Sequence, residues 1–387
     1  MNFIKIIFNT RSPNAPASLF YASAFKRLKQ VTFYDWDHYQ NYDIALFMTY
    51  EQDIKDLVQA KKKCPTLKVG LIDPRGTQVY NCLPYVDFLI VDSLEMKDYF
   101  AGSGLPIFLY AEYPDIKYCE KKHTDKKPVI IGYHGNIVHL AGMHTHIALA
   151  FEKLAQKYSI ELWAMYNLKN QGICRIGMPS NMPVKHIQWD MGNYEKILAQ
   201  ADIGIVPNLM PIHNISKIKR KASVLKSFFN DSDDDYLVRY KMPSNPGRII
   251  VFGKLGIPVI TDFYPSALQI IQDGINGRLV CSSGGWYAAL KELIEDAGQR
   301  KIFAENMKTL IKKKYDYEVQ NINAVSFFNQ LLNGTICRDS FPPDLLGNKS
   351  YKRDSKFCFA IAKMKTNQWK NNLELAIKKI GLWLKKL

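Results

Sequence analysis

Residues 241–280 decide the fold, and they read KMPSNPGRIIVFGKLGIPVITDFYPSALQIIQDGINGRLV. Ser244 or Asn245 can cap a helix, and Pro246 suits its first position because a missing N–H costs nothing there. An apolar stripe at helical spacing follows, and Gly256 is typical of the residue that ends a helix. The stretch is therefore expected to open with a capped helix.

The rest of this stretch predicts a buried strand and a return turn. Residues 257–260 (IPVI) are nearly all apolar, which is typical of a parallel strand covered on both faces. Residues 266–272 predict a second short helix, and residues 273–277 (DGING) predict a turn into a strand at 278–280. A free helix N-terminus with Arg248 one turn inside it is suited to binding an anion.

Two segments of this stretch carry a resemblance to a known family. GIPVI at 256–260, followed by IQDGINGRLV at 271–280, resembles the donor-domain signature of GT-B glycosyltransferases, especially the retaining group typified by glycosyltransferase family 4. The resemblance extends more weakly over residues 5–332. It implies an α/β fold in which two Rossmann-like doubly wound domains face a cleft, with a nucleotide-sugar donor bound by the second domain.

Composition narrows the class of protein. A chain of 387 residues exceeds what one core usually supports, so two α/β domains with an appendage are expected. The seven cysteines include no C-x-x-C pair, which favours reduced thiols in a cytoplasm. The N-terminus does not resemble a secretion signal, and no apolar run is long enough to span a membrane.

The net charge of +16 indicates an anionic partner. Residues 351–387 hold ten Lys or Arg against two acidic residues, and their apolar residues recur at helical spacing. This tail predicts a C-terminal amphipathic helix that either lies on an anionic membrane surface or packs on the protein itself. A nucleic-acid partner is disfavoured because the sequence contains no recognisable DNA- or RNA-binding motif.

Strands that alternate with helices predict a doubly wound parallel sheet in each domain. Residues 1–116 are expected to form the acceptor-side domain and residues 128–315 the donor domain, with an insertion at 209–240. Residues 316–332 resemble the GT-B helix that crosses back to the first domain.

Sugar transfer requires the charge on the leaving diphosphate to be neutralised, and the bidentate fork of arginine suits this task. The resemblance and the sequence together give one set of expected donor-binding residues: Gly135, Asn136, Lys219, Lys241, Ser244, Asn245, Arg248 and Asp262. For Asp262 a contact with the sugar or ribose and a structural turn or cap remain open alternatives.

The sequence departs from the family pattern in two places. The loop after the first strand of the donor domain, residues 134–142, lacks the Arg and Lys that bind phosphates in the family. Pro243 and Val251 stand where the family has two glutamates, the second of which grips the donor ribose. Retention of configuration is therefore not inherited from the resemblance, and inversion stays open.

Parallel sheets bind ligands at the carboxyl ends of their strands. In the first domain this places Arg11, Arg75 and Ser93 on the acceptor side. The candidate catalytic residues are Asp73 and Asp92, either of which could be the general base of an inverting reaction, and His134, which could instead be a core residue. If the reaction retains configuration, the leaving phosphate can accept the proton.

These features predict a cytoplasmic glycosyltransferase, peripherally attached to the inner face of the cell membrane. It would move a sugar from a nucleotide-sugar donor to a glycan or glycolipid acceptor in the synthesis of surface polysaccharide or lipopolysaccharide. No metal or other cofactor is expected, and no nucleic acid. The alternative is a non-catalytic GT-B-like partner subunit of a glycan-assembly complex, which the missing glutamates favour.

Overall fold

The computed structural model of the protein describes residues 4–75, 78–143, 147–208 and 245–339. Within them lie two six-stranded sheets. The predicted insertion at 209–240 and the basic tail at 351–387 fall outside the described residues, as do the predicted donor-binding residues Lys219, Lys241 and Ser244.

The first sheet uses the N-terminal third of the chain. Its strands are β1 (Ile6–Asn9), β2 (Val31–Phe33), β3 (Ile44–Met48), β4 (Lys68–Ile72), β5 (Phe88–Val91) and β6 (Ile107–Leu109). Its helices are α1 (Pro16–Phe25), α2 (Glu51–Lys63), α3 (Val79–Cys82) and α4 (Leu94–Ala101), with 3-10 turns at Tyr39–Asn41 and Leu83–Tyr85. The strand order is β2-β1-β3-β4-β5-β6, and all pairs are parallel.

The second sheet has the strands β7 (Val129–His134), β8 (Ile160–Tyr166), β9 (Val184–Gln188), β10 (Ile203–Val206), β11 (Val259–Asp262) and β12 (Arg278–Val280). The helices around it are α5 (Ile137–Gly142), α6 (Ile147–Leu154), α7 (Leu168–Gln171), α8 (Tyr194–Leu198), α9 (Gly247–Lys254), α10 (Pro265–Leu268), α11 (Ser283–Glu295) and α12 (Ala297–Lys314). The parallel order β9-β8-β7-β10-β11-β12 is that of a dinucleotide-binding Rossmann sheet. Its topological switch point lies between β7 and β10.

Apolar strands covered on both faces explain why the chain forms these sheets. Every residue of β3, β5 and β10 is buried. On β10, Gly204 lets α9 pack closely, because a Cβ at this position would lie 2.6 Å from the ring of Phe252. The close contact holds α9 against β10, the strand that borders the switch point.

The last described helix, α13 (Tyr317–Leu332), makes hydrogen bonds with the first domain. The Gln320 side chain accepts from the backbone N–H of Ala111 (2.7 Å) and donates to its carbonyl (3.1 Å). Asn321 accepts from the Tyr110 hydroxyl and donates to the carbonyl of Ala24, both at 2.9 Å. These bonds tie the C-terminal end of the described chain to β6 and α1.

The fold class expected from the sequence is confirmed, and the differences are local. Helix α9 begins at Gly247, so Pro246 is its N-cap rather than its first residue. Strand β11 extends to Asp262, which therefore lies within the strand rather than after it. Among the described residues, no helix combines the length and apolar character needed to cross a membrane.

Candidate active site

Arg248 lies at the switch point of the second sheet. Its Nη1 donates to the carbonyl of Pro207, which follows β10, at 3.0 Å. Its side chain also covers Gly135, the residue after β7. Ligands of doubly wound sheets bind at the crevice where the strand order reverses. The half-buried guanidinium is therefore placed where such a ligand would sit.

Gly135 is required by this arrangement. Its φ of +140° is a conformation that side chains disfavour, and a Cβ there would lie 2.9 Å from Cδ of Arg248 and 3.1 Å from the hydroxyl of Tyr133. The Tyr133 hydroxyl in turn donates to the carbonyl of Asn136 at 2.6 Å. The turn after β7 and the Arg248 side chain thus fix each other.

The prediction that the amides opening α9 face an anion is wrong for most of them. A helix leaves its first N–H groups without intrahelical partners, but here Pro246 has none. The N–H of Gly247 donates to Oδ1 of Asn245 (3.1 Å), and that of Ile249 donates to the carbonyl of Pro246 (2.9 Å). A Cβ on Gly247 would lie 2.4 Å from the carbonyl oxygen of Glu112, so the first domain covers this helix end. The charge available at the site comes from the Arg248 side chain.

His134 makes the contacts of a packing residue. Its Nε2 lies 3.3 Å from the carbonyl of Arg248, and its ring packs edge-on against Phe252 at 4.9 Å. Burial, and then the charge of Arg248, lower the pKa of His134 to about 3, so the ring is neutral. A catalytic role for His134 stays a prediction, and the contacts that it makes join α9 to β7.

Asn136 and Asp262 are also engaged by the protein. Asn136 is the N-cap of α5, and its Oδ1 accepts from the N–H of Val138 at 3.0 Å. Asp262 is buried and accepts from Nε1 of Trp286 (3.0 Å) and from the N–H of Asn208 (2.7 Å). These bonds favour a structural role for Asp262 over a contact with the sugar or ribose of the donor. The contact with the donor stays a prediction.

In the first domain three carboxylates gather at the carboxyl ends of β4, β5 and β6. Asp73 and Asp92 follow β4 and β5, and Glu112 lies three residues after β6. One oxygen of each lies within 4.8 Å of the other two. Asp73 has a φ of +52°, a conformation uncommon outside glycine, asparagine and aspartate.

Arg75 is the cation of this group. It forms ion pairs through Nε with Asp73 and through Nη2 with Asp92, the latter at 2.9 Å. Thr49, after β3, holds the arginine backbone with two hydrogen bonds of 3.1 Å. The predicted residues Asp73, Arg75 and Asp92 are thus brought together.

Burial sets the protonation of these acids. Burial and then the repulsion of Asp73, opposed by Arg75, raise the pKa of Asp92 to about 7. Burial, and then the charges of Asp73 and Asp92, raise the pKa of Glu112 well above its ordinary value. A carboxyl group with a pKa near neutrality is suited to act as a general base.

The two groups meet across the cleft at Asn245. Its side chain donates to Oδ2 of Asp92 at 3.2 Å while its oxygen accepts from Gly247 at the start of α9. A second bridge lies nearby, where Glu95 of α4 accepts from the backbone N–H of Ser266 at 3.0 Å. The carboxylate group and Arg248 therefore belong to one interdomain region.

The two other predicted acceptor-side residues are held locally. Ser93 is the buried N-cap of α4, and its Oγ accepts from the N–H of Met96 at 3.2 Å. Arg11 pairs with Asp56 at 2.8 Å and stacks 3.6 Å above the ring of Trp36. Acceptor binding by these residues stays a prediction.

Glu112 is the site residue that sequence reasoning missed. It lies in Tyr110-Ala-Glu-Tyr-Pro, a segment that reads as the exit from the first domain rather than as a strand end. A carboxylate shortly after a third successive parallel strand is the signal that could have identified it, because Asp73 and Asp92 follow the two preceding strands.

Comparison with known proteins supports the fold. No family model matches the sequence, and no curated protein matches it. The structure is similar to that of the Anabaena protein Alr3699/HepE in complex with UDP and glucose, with a TM-score of 0.58, 12% identity, and 84% of this chain and all of that one covered. It is also similar to the lipopolysaccharide outer core galactosyltransferase WaaB, with a TM-score of 0.51, 13% identity, and 86% and 99% coverage. The chain has the two-domain GT-B fold.

Proposed function

We propose that this protein is a glycosyltransferase that moves a sugar from a nucleoside-diphosphate sugar to a hydroxyl of a glycan or glycolipid acceptor. The observation that carries the proposal is the position of Arg248. Its guanidinium stands at the switch point beside Gly135, and among the described residues no carboxylate forms an ion pair with it. A diphosphate is an anion of matching charge and geometry.

In this reaction Asp92 is the general base. The acceptor O–H bond breaks and its proton passes to Asp92, while the oxygen forms a bond to the anomeric carbon. The bond from that carbon to the diphosphate oxygen breaks, and its electron pair leaves with the nucleoside diphosphate. Arg248 stabilises the charge that develops there. The acceptor oxygen attacks the face of the anomeric carbon opposite the departing diphosphate, so this single displacement inverts configuration. Asn245 donates a hydrogen bond to Asp92, and the acceptor hydroxyl would have to displace this bond to reach the same oxygen.

Further parts of the proposal rest on sequence. The reaction uses no metal ion, because Arg248 supplies the positive charge at the leaving group. The basic tail at 351–387 attaches the protein to the inner face of the cell membrane, which suits an acceptor in surface polysaccharide or lipopolysaccharide synthesis. Co-sedimentation of the full chain with anionic but not with neutral vesicles tests the attachment.

The test of the activity is incubation of the purified protein with a panel of nucleotide sugars in the presence of EDTA. UDP, which one of the similar structures contains, is the nucleotide probe for binding. We expect slow hydrolysis or transfer with at least one donor, and a product of opposite anomeric configuration by NMR. A product of unchanged anomeric configuration would show that Asp92 is not the general base. Absence of binding to every donor would remove the enzymatic function.

A non-catalytic partner subunit is the second candidate. It is favoured by Val251, which is fully buried within α9 at a position where the resemblance implies a ribose-binding glutamate. This role predicts weak or absent nucleotide binding by the isolated protein and activity only in the presence of a second protein.

A further inference from the structure

Glu112 belongs to a carboxylate group whose charges do not balance. Asp73 and Asp92 each form an ion pair with Arg75. Among the described residues, no ion pair involves Glu112, although one of its oxygens lies within 4.8 Å of both aspartates. With all three acids ionised, the group would carry an uncompensated charge in a buried site, which is costly.

Polar atoms without hydrogen-bond partners around Glu112 also indicate that the three acids are not all ionised. Glu112 is 7% exposed and its Oε2 has no hydrogen-bond partner in the described part of the chain, nor does Oδ1 of the fully buried Asp92. Tyr21 of α1, only 1% exposed, also has a hydroxyl without a partner there. Burial, and then the charges of Asp92 and Glu112, raise the pKa of Tyr21. Burying an ionised carboxylate without partners is disfavoured far more than burying a neutral one.

We infer that Glu112 is held as a neutral, protonated acid at neutral pH and acts as a positioning residue that leaves Asp92 the ionised member of the pair. The inference rests on the proposed function in one respect, because only in the proposed reaction is Asp92 the general base. In the transfer step the acceptor proton passes to Asp92, while Glu112 keeps its own proton throughout.

The charges around Glu112 support this assignment. The titratable groups that face it are Asp73, Arg75, Asp92, Tyr21, Tyr50 and Tyr317. Burial raises the pKa of Glu112 well above its ordinary value, and the two aspartates raise it further while Arg75 lowers it. Arg75 forms an ion pair with Asp92 and therefore favours the ionisation of Asp92 over that of Glu112.

Infrared spectroscopy tests the protonation without reference to activity. At about pH 8, above the pKa of about 7 of Asp92 and well above the ordinary carboxyl pKa, the wild-type protein should show the carbonyl stretch of a protonated carboxylic acid. Glu112→Gln should lose this band. Glu120→Gln removes a carboxylate that is 91% exposed and should keep it. Absence of the band in the wild type, or its persistence in Glu112→Gln, would overturn the inference.

The pH dependence of unfolding gives a second readout. A pKa raised in the folded state means that the folded protein binds more protons than the unfolded chain, so stability falls as pH rises above about 4. Relative to Glu112→Gln, the denaturant midpoint of the wild type should therefore drop between about pH 5 and pH 8. Equal drops in both proteins would contradict the inference.

The kinetic readout addresses positioning. Ionisation of Glu112 at alkaline pH places a second negative charge beside Asp92. The alkaline limb of the plot of kcat against pH should therefore differ between the wild type and Glu112→Gln, whose side chain cannot ionise. An unchanged profile would refute the positioning role. If the infrared band behaves as expected but no donor is turned over, the proposed function fails while the neutral acid stands, so the two failures are distinguishable.

Discussion

The carboxyl edges of the two sheets are built alike but carry opposite charges. At the edge of the first sheet, Asp73, Asp92 and Glu112 outnumber Arg75. At the edge of the second sheet, Arg248 bonds a neutral carbonyl, that of Pro207. An edge with surplus carboxylate can take up a proton, and an edge with an unpaired guanidinium can take up an anion. In the proposed reaction, this difference places the base in one domain and the diphosphate in the other.

The largest effect is expected from neutralising the base. Asp92→Asn keeps the shape of the side chain and its neighbours but cannot accept a proton. General base catalysis typically contributes about 10²- to 10⁴-fold, so kcat for sugar transfer should fall by that order while the affinity for UDP changes little. Steady-state kinetics and calorimetric binding of UDP measure the two quantities.

The control for this variant is Asp98→Asn, which removes an exposed carboxylate from the same domain. Its kcat should match that of the wild type. A similar kcat for Asp92→Asn and the wild type would show that the edge of the first sheet does not supply the base. The difference in charge between the two edges would then not explain catalysis.

A second variant tests whether the donor edge depends on close packing. Gly135→Ala introduces a Cβ 2.9 Å from Cδ of Arg248 at a φ of +140°, so it strains the backbone by about 1–3 kcal/mol and displaces the guanidinium. We expect a lower melting temperature together with a loss of UDP affinity.

Gly172→Ala is the matched control. This glycine also has a positive φ, of +68°, but a Cβ there would have nothing within 4 Å. It should lower the melting temperature and leave UDP binding unchanged. Equal losses of affinity in both variants would indicate a general effect of destabilisation rather than a site at Gly135.

Sequence patterns predicted the fold more completely than the site. The doubly wound sheets were predicted from strands that alternate with helices, because apolar runs such as those of β3, β4 and β5 are recognisable in the sequence itself. The carboxyl-end rule likewise brought Asp73 and Asp92 to one edge. Side-chain partners depend on residues distant in sequence, as when Asn245 bonds Asp92. For this reason the sequence could not predict that other residues cover the start of α9, nor could it predict the role of Glu112.

The smallest effect is expected at Ser93, which was predicted from sequence to face the acceptor. Its hydroxyl caps α4, so Ser93→Ala should cost about 1 kcal/mol of unfolding free energy and leave the KM for acceptor unchanged. Ser282→Ala removes the corresponding cap of α11 at the exposed surface of the second domain and should cost a similar amount. A raised KM in Ser93→Ala alone would restore an acceptor role to this residue.

The central claim is that the guanidinium of Arg248 binds the diphosphate of the donor, and isothermal calorimetry of UDP binding tests it most directly. Hydrogen bonds to charged groups contribute about 1.5–3 kcal/mol, so Arg248→Ala should weaken binding at least about tenfold. Arg338→Ala, which removes an exposed arginine, should bind UDP as the wild type does. Equal affinity of Arg248→Ala and the wild type, with the fold intact, would contradict the account.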